Sequence, residues 1–143
     1  MNKETLELVK KRDALLEDIF RCGIDGGELT SEAIERLEYF DKENKLPIKT
    51  LKNWSVVQLP TNPYEAPEMR VNRQALYGDW FFESRHRTGI ITSQIKGAIG
   101  KYHVETISGS IYELEMVDPE WEKLYPDAAN RFFKSAPQVT YVQ

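Results

Sequence analysis

The apolar residues of this chain change their period at Pro47, from the 3.6-residue spacing of helices to the alternation and close-set turns of strands. Before that point, Leu8, Leu15 and Ile19 with Val9, Leu16 and Phe20 form one stripe, which predicts a helix over 3–21. Asn2 is its expected N-cap and Gly23 the residue just past its end. A second helix is predicted over 31–42, capped by Thr30, with Ile34, Leu37 and Phe40 or Tyr39 facing inward. The turn at 23–27 is short enough to make the two an antiparallel hairpin or a helix-turn-helix-like pair.

After Pro47 the expected strands are 54–59, 74–83, 90–95, 101–107 and 111–116. Turns at 84–89, 96–100 and 108–110 separate the later ones, and a proline-rich loop at 60–67 separates the first two. Turns recurring about every ten residues are the mark of an antiparallel meander. Asp118-Pro119-Glu120 opens a short helix, with a helical turn at 128–133 and a last strand at 139–142. The fold class is therefore α+β. An N-terminal helical hairpin (1–46) packs on a C-terminal antiparallel meander sheet (54–116), and short helices and a tail strand (118–143) follow. The 143 residues make one domain of ordinary size.

Several function classes lose support at once. No apolar run is long enough to span a bilayer, the start Met1-Asn2-Lys3-Glu4 is charged, and Cys22 is alone, so a cytoplasmic protein without disulfides is expected. A net charge of −4 and a pI near 5.3 argue against a general nucleic-acid surface. The second helix shows Glu32, Glu35, Glu38, Asp41 and Glu43 against Arg36 and Lys42, which phosphates would repel. The glycines at 23–27 lack the Gly-Lys-Ser/Thr of a phosphate loop. His86 and His103 belong to no Ser-His-Asp order and no zinc motif, and with one distant cysteine they make a poor metal set. The expectation is a protein that is not an enzyme, with no catalytic residue, metal or cofactor.

The chemistry that remains lies in a basic, aromatic middle. Between Met69 and His103, Arg70, Arg73, Arg85, Arg87, Lys96 and Lys101 meet only Asp79 and Glu83 as acids. Trp80-Phe81-Phe82 precedes two of these arginines, and strand alternation puts Phe81 on the face opposite Trp80 and Phe82. Consecutive aromatics on a sheet covered on one face leave a ring exposed, so a homo-oligomer is expected. An aromatic beside guanidinium groups suits a base carrying phosphates. Arg85, Arg87 and Phe82 are the first candidates for such a ligand site, with Arg70 and Arg73 as second phosphate partners. Thr92, Ser93, Ser108 and Ser110 are candidate hydrogen-bonding walls and Tyr112 a candidate stacking ring.

The segments Thr92-Ser93-Gln94-Ile95 and Val104-Glu105-Thr106-Ile107-Ser108-Gly109-Ser110-Ile111-Tyr112-Glu113-Leu114 resemble small phage and bacterial proteins that carry T-S-x-I … V-x-T-x-S-G-S-x-Y-x-L. The same stretch, within 76–114, is similar to the phage anti-Thoeris sponges, which sequester cyclic ADP-ribose signals. That resemblance implies a non-enzymatic binding protein that sequesters a small anionic nucleotide signal in phage counter-defence; it carries over no individual site residue. The alternative is a protein-binding inhibitor of the anti-CRISPR or immunity type, whose acidic helices act on a basic nucleic-acid-handling enzyme.

Overall fold

The computed structural model describes residues 2–22, 24–25, 28–60, 64 and 73–140. In chain order the elements are α1 (Lys3–Cys22), β1 (Ile24–Asp25), β2 (Glu28–Leu29), α2 (Ser31–Asn44), β3 (Ile48–Gln58), β4 (Gln74–Phe82), β5 (Arg85–Ile91), β6 (Ile95–Ile99), β7 (His103–Thr106), β8 (Ile111–Leu114), α3 (Pro119–Leu124) and α4 (Ala128–Ser135). The chain is α+β, with helices first and a six-stranded, mostly antiparallel sheet after them.

The helix starts fall where the capping residues stand. The Asn2 side chain accepts from Thr5 N at 2.8 Å, and Thr30 Oγ1 accepts from Ala33 N at 3.2 Å, so each occupies an amide the helix itself leaves open. α2 ends at Lys45, in the left-handed region at φ 43°, whose amide closes on the Asp41 carbonyl. The buried stripe of α1 is Leu6, Val9, Asp13, Leu16 and Ile19. Phe20, expected on it, is 46% exposed; on α2, Ala33 is buried while Ile34 and Tyr39 face out. The inward faces of both helices thus differ slightly from the expected ones, and on α1 a polar residue, Asp13, takes a place on the inward stripe. The turn between them contains a ribbon in which Ile24 pairs with Leu29; Gly23, Gly26 and Gly27 lie outside the described residues.

The sheet is not a simple meander. Its strand order is β5-β4-β3-β8-β7-β6, and β3 runs parallel to β8, Ile48 beside Ile111 and Leu51 beside Leu114. β3 begins at Ile48, well before the expected 54, and its first half is what joins the β4–β5 hairpin to the β6–β7–β8 meander. Two expected turns are strands. Residues 85–89 extend β5 down to Glu83-Ser84, and 96–99 form most of β6. Conversely, Thr92 and Ser93 leave the strand and form the link to β6, so it is Ile95, not they, that pairs with Thr106. The expected tail strand reduces to a bridge between Ala98 and Gln138, with 141–143 outside the described residues. Gly97 permits that approach, since a Cβ there would press on the Pro137 carbonyl.

This order forces curvature. β5 and β6 sit at opposite ends of it, and in a flat sheet five spacings would separate them by roughly 24 Å. The chain from Ile91 to Ile95 spans at most about 14 Å. The sheet therefore curls toward a barrel, and the link ties both sides: Thr92 N donates to Leu76 O at 2.9 Å and Ile107 N to Gln94 O at 2.9 Å.

Two faces follow from the register, in which His103 opposes Glu113 and Val104 opposes Tyr112. Leu51, Trp54, Leu76, Val104, Tyr112 and Leu114 form the inner core, closed by Phe132 of α4 with Trp121 of α3 packed against it. On the outer face, Ile99 and Ile111 meet Leu6 and Val9 of α1 together with Val139. Each such fully buried aliphatic side chain contributes about 1.5–3 kcal/mol. The short C-terminal helices are thus a wall of the main core rather than an appendage.

Candidate functional site

The outer face carries a buried chain of charges where α1 crosses the sheet. Asp13 lies within the apolar stripe of α1 and caps the turn between β6 and β7: Oδ1 accepts from Lys101 N at 3.0 Å and Oδ2 from Tyr102 N at 2.9 Å. Gly100 makes room for it, because at φ +67° a Cβ there would collide with the Asp13 carboxylate. Asp13 Oδ2 also stands 2.8 Å from His103 Nδ1, and His103 Nε2 stands 3.3 Å from Glu113 Oε1. Arg12 then grips Glu113 with two nitrogens, Nε to Oε1 at 2.8 Å and Nη2 to Oε2 at 3.2 Å, and reaches Asp41 of α2 with Nη1. Two helices and two strands are joined by this set of charged side chains.

His103 is 0% exposed. Burial works to strip its proton, but the hydrogen bond to Asp13, the contact with Glu113 and the charges of both outweigh it and hold its pKa above the ordinary histidine value. Burial likewise works to protonate Glu113; His103 and Arg12 reverse this and hold its carboxyl below the usual range. Nearby, desolvation and the bond it donates to Glu17 Oε2, at 2.8 Å, push the Tyr102 hydroxyl up to about 12. A histidine buried between two carboxylates holds helix to sheet and lies out of reach of solvent.

The residues singled out in the sequence come together only in part. Arg85 and Arg87 are exposed on β5, opposite Phe82 and Trp80, and the Arg85 guanidinium lies 5.4 Å from the Phe82 ring centre and 5.8 Å from that of Trp80. Among the described residues neither arginine has a carboxylate partner. On the other face of the hairpin His86 stacks on Phe81 at 4.4 Å. Lys96 and Lys101, from the same basic stretch, are taken up by Glu105 and Glu17 at 3.1 and 3.0 Å. Arg70 lies outside the described residues, and Arg73 stands just before β4, half-buried.

The hydroxyl set is structural. Thr92 is buried; its Oγ1 accepts from Leu76 N at 2.9 Å and donates to Ser93 O at 2.8 Å. Ser93 donates to Ser108, which meets Thr106 at 3.0 Å, and Ser110 accepts from Lys49 at 3.2 Å. Tyr112, expected to stack on a ligand, is a core ring only 6% exposed, because the inward face of β8 closes on β3. Arg87 stands on β5, whereas Ser93 stands in the link beyond its end.

Among the described residues, three clefts of ligand size differ in their walls. The first, about 450 Å³, includes Phe82 but also Asp41, Glu83 and Glu113 against Arg12 and Lys45. The second, about 410 Å³ between the helices and β8, is mostly apolar: Leu16, Phe20, Leu29, Leu37, Leu114 and Met116. The third, about 610 Å³, lies between the β6–β7 turn and α4 and brings together Lys101, Tyr102, Asn130, Phe133, Lys134 and Gln138, with Asp127 as its one acid. Asp127 is engaged by Asn130 Nδ2 at 2.6 Å. Gln138 spends its carbonyl on Gly100 N at 3.0 Å, which leaves its amide N–H groups as donors, and Lys134 has no partner among the described residues. This third site is spread over sequence positions 100–138 and no short motif announces it. No family model, curated protein or solved structure matches the chain.

Proposed function

We propose that this protein is a non-enzymatic binder of a small anionic nucleotide, held in the cleft between the β6–β7 turn and α4. The observation that carries the reading is the donor character of that cleft: among the described residues Lys134 and the Gln138 amide are unspent and the carboxylate in its wall is already engaged, while Lys101 beside them is paired with Glu17. Its volume, about 610 Å³, is within the range of ligand pockets, roughly 300–1,000 Å³. Phe133 and Tyr102 supply ring surface for a base, and lysines with amide donors suit phosphate and ribose oxygens. The first cleft is a poorer candidate for an anion because three carboxylates line it, and the second because its walls are mostly apolar and include Glu113 and Glu115. Binding rather than catalysis is favoured by the burial of His103, which takes it out of reach of a ligand in solvent.

Calorimetric titration with mononucleotides, cyclic ADP-ribose isomers and cyclic dinucleotides tests this directly. At least one is expected to bind and to be recovered unchanged. Lys134→Ala should weaken it about ten- to hundredfold, the equivalent of one charge-assisted hydrogen bond of about 1.5–3 kcal/mol. Arg85→Ala should leave binding unaltered. If only the Arg85 variant lost affinity, the site would be the β4–β5 hairpin instead; no heat with any nucleotide would refute the reading.

A further inference from the structure

The β4–β5 hairpin has unspent chemistry of its own, independent of the nucleotide reading. β5 closes one end of the strand order and pairs only with β4, so one row of its main-chain N–H and C=O groups has no ladder partner among the described residues. Its side chains are exposed from Arg85 to Gly89. The regular part ends there: Gly89 takes φ +67° and a register shift falls between Gly78 and Trp80, so the edge bends away beyond Thr88.

An exposed edge is a template for an added strand, and charge on it decides which strands are accepted. Arg85 and Arg87 project on one face, and neither meets a carboxylate among the described residues. Arg85 is laid against the rings of Phe82 and Trp80, which holds its guanidinium beside the strand and reduces the side-chain freedom that binding would remove. His86 is fixed on the opposite face by its stack on Phe81, with Lys52 Nζ 5.1 Å from the same ring. Basic or apolar segments gain nothing from such an edge, whereas an extended segment with acidic residues at alternate positions meets both arginines while its backbone completes the ladder.

We infer that the free edge of β5 is a docking strand for an extended, acidic segment of a partner protein, which pairs with Arg85–Thr88 by main-chain hydrogen bonds and with Arg85 and Arg87 by its carboxylates. The test uses the full chain with a short peptide of alternating glutamate and valine, its lysine-for-glutamate counterpart, and the glutamate peptide N-methylated at alternate amides. Calorimetry at physiological salt is combined with amide hydrogen exchange and light scattering. The glutamate peptide should bind and slow exchange within residues 85–88. N-methylation should abolish binding, and an Arg85→Glu, Arg87→Glu variant with an unchanged circular dichroism spectrum should lose more than tenfold in affinity. Equal binding of the lysine peptide, binding without protection of these amides, or no binding would overturn the inference. So would protection of the same amides in the absence of peptide with a doubled mass, which would make a second copy the occupant.

Discussion

Replacing Asp13 with asparagine changes one atom and keeps the volume, yet it strikes the point where α1 is fastened to the sheet. The two carboxylate oxygens accept from Lys101 N and Tyr102 N, and one also faces His103 Nδ1. An asparagine offers one acceptor oxygen and one NH2 group, so a backbone amide or the imidazole is left facing a donor. The negative charge that favours the protonated form of His103 is lost as well. Breaking a buried ion pair on one side costs about 3–5 kcal/mol, and the loss of a single charge-assisted hydrogen bond about 1.5–3 kcal/mol. A loss of about 3–4 kcal/mol in urea unfolding near neutral pH is therefore expected. The pH dependence follows from the shift directions. With its pKa above 6.5, His103 contributes stability fully present below that value and lost as pH rises through its folded pKa. With its pKa below 4.5, Glu113 contributes stability present above that value and lost as pH falls through its folded pKa. Stability should thus be greatest between these limits, and Asp13→Asn should move the alkaline loss to lower pH. Unfolding curves from mildly acidic to mildly alkaline pH, with the His103 ring followed by nuclear magnetic resonance, read both effects. A loss under 1 kcal/mol with an unmoved His103 titration would refute the claim that the ion chain helps to fasten the helix.

Two further outcomes are expected. Gly100→Ala should destabilise by at least about 1–3 kcal/mol in thermal unfolding, because it combines a left-handed φ with a clash on Asp13; combined with Asp13→Ala, which removes the clash, the cost should be smaller than the sum of the two. Thr92→Val keeps the shape but leaves Leu76 N without its side-chain acceptor, so it should cost about 1–3 kcal/mol in urea unfolding while nucleotide affinity, where found, stays the same.

What the sequence by itself determined is what depends on neighbours along the chain. Asn2, Thr30 and Asp118 cap helices because each accepts from an amide two or three residues ahead. The period change at Pro47 separates the two long helices from the six-stranded sheet, and Gly109 at φ +89° marks a turn that few other residues allow. Tertiary structure decided the rest, because it rests on contacts between distant segments. β3 enters between β4 and β8 only because its first residues meet Ile111 to Leu114, and nothing local distinguishes that parallel pairing from a continued meander. The same closure put Thr92 and Tyr112 in the interior and kept Arg85 and Arg87 outside. Asp13 at a stripe position of α1 was the one local hint of the buried ion chain, yet its partners stand 88–90 residues away, and those of Arg12 up to 101. Such a charge is stable in the interior only when the whole set is assembled around it, so its role is a property of the folded arrangement and not of any segment alone.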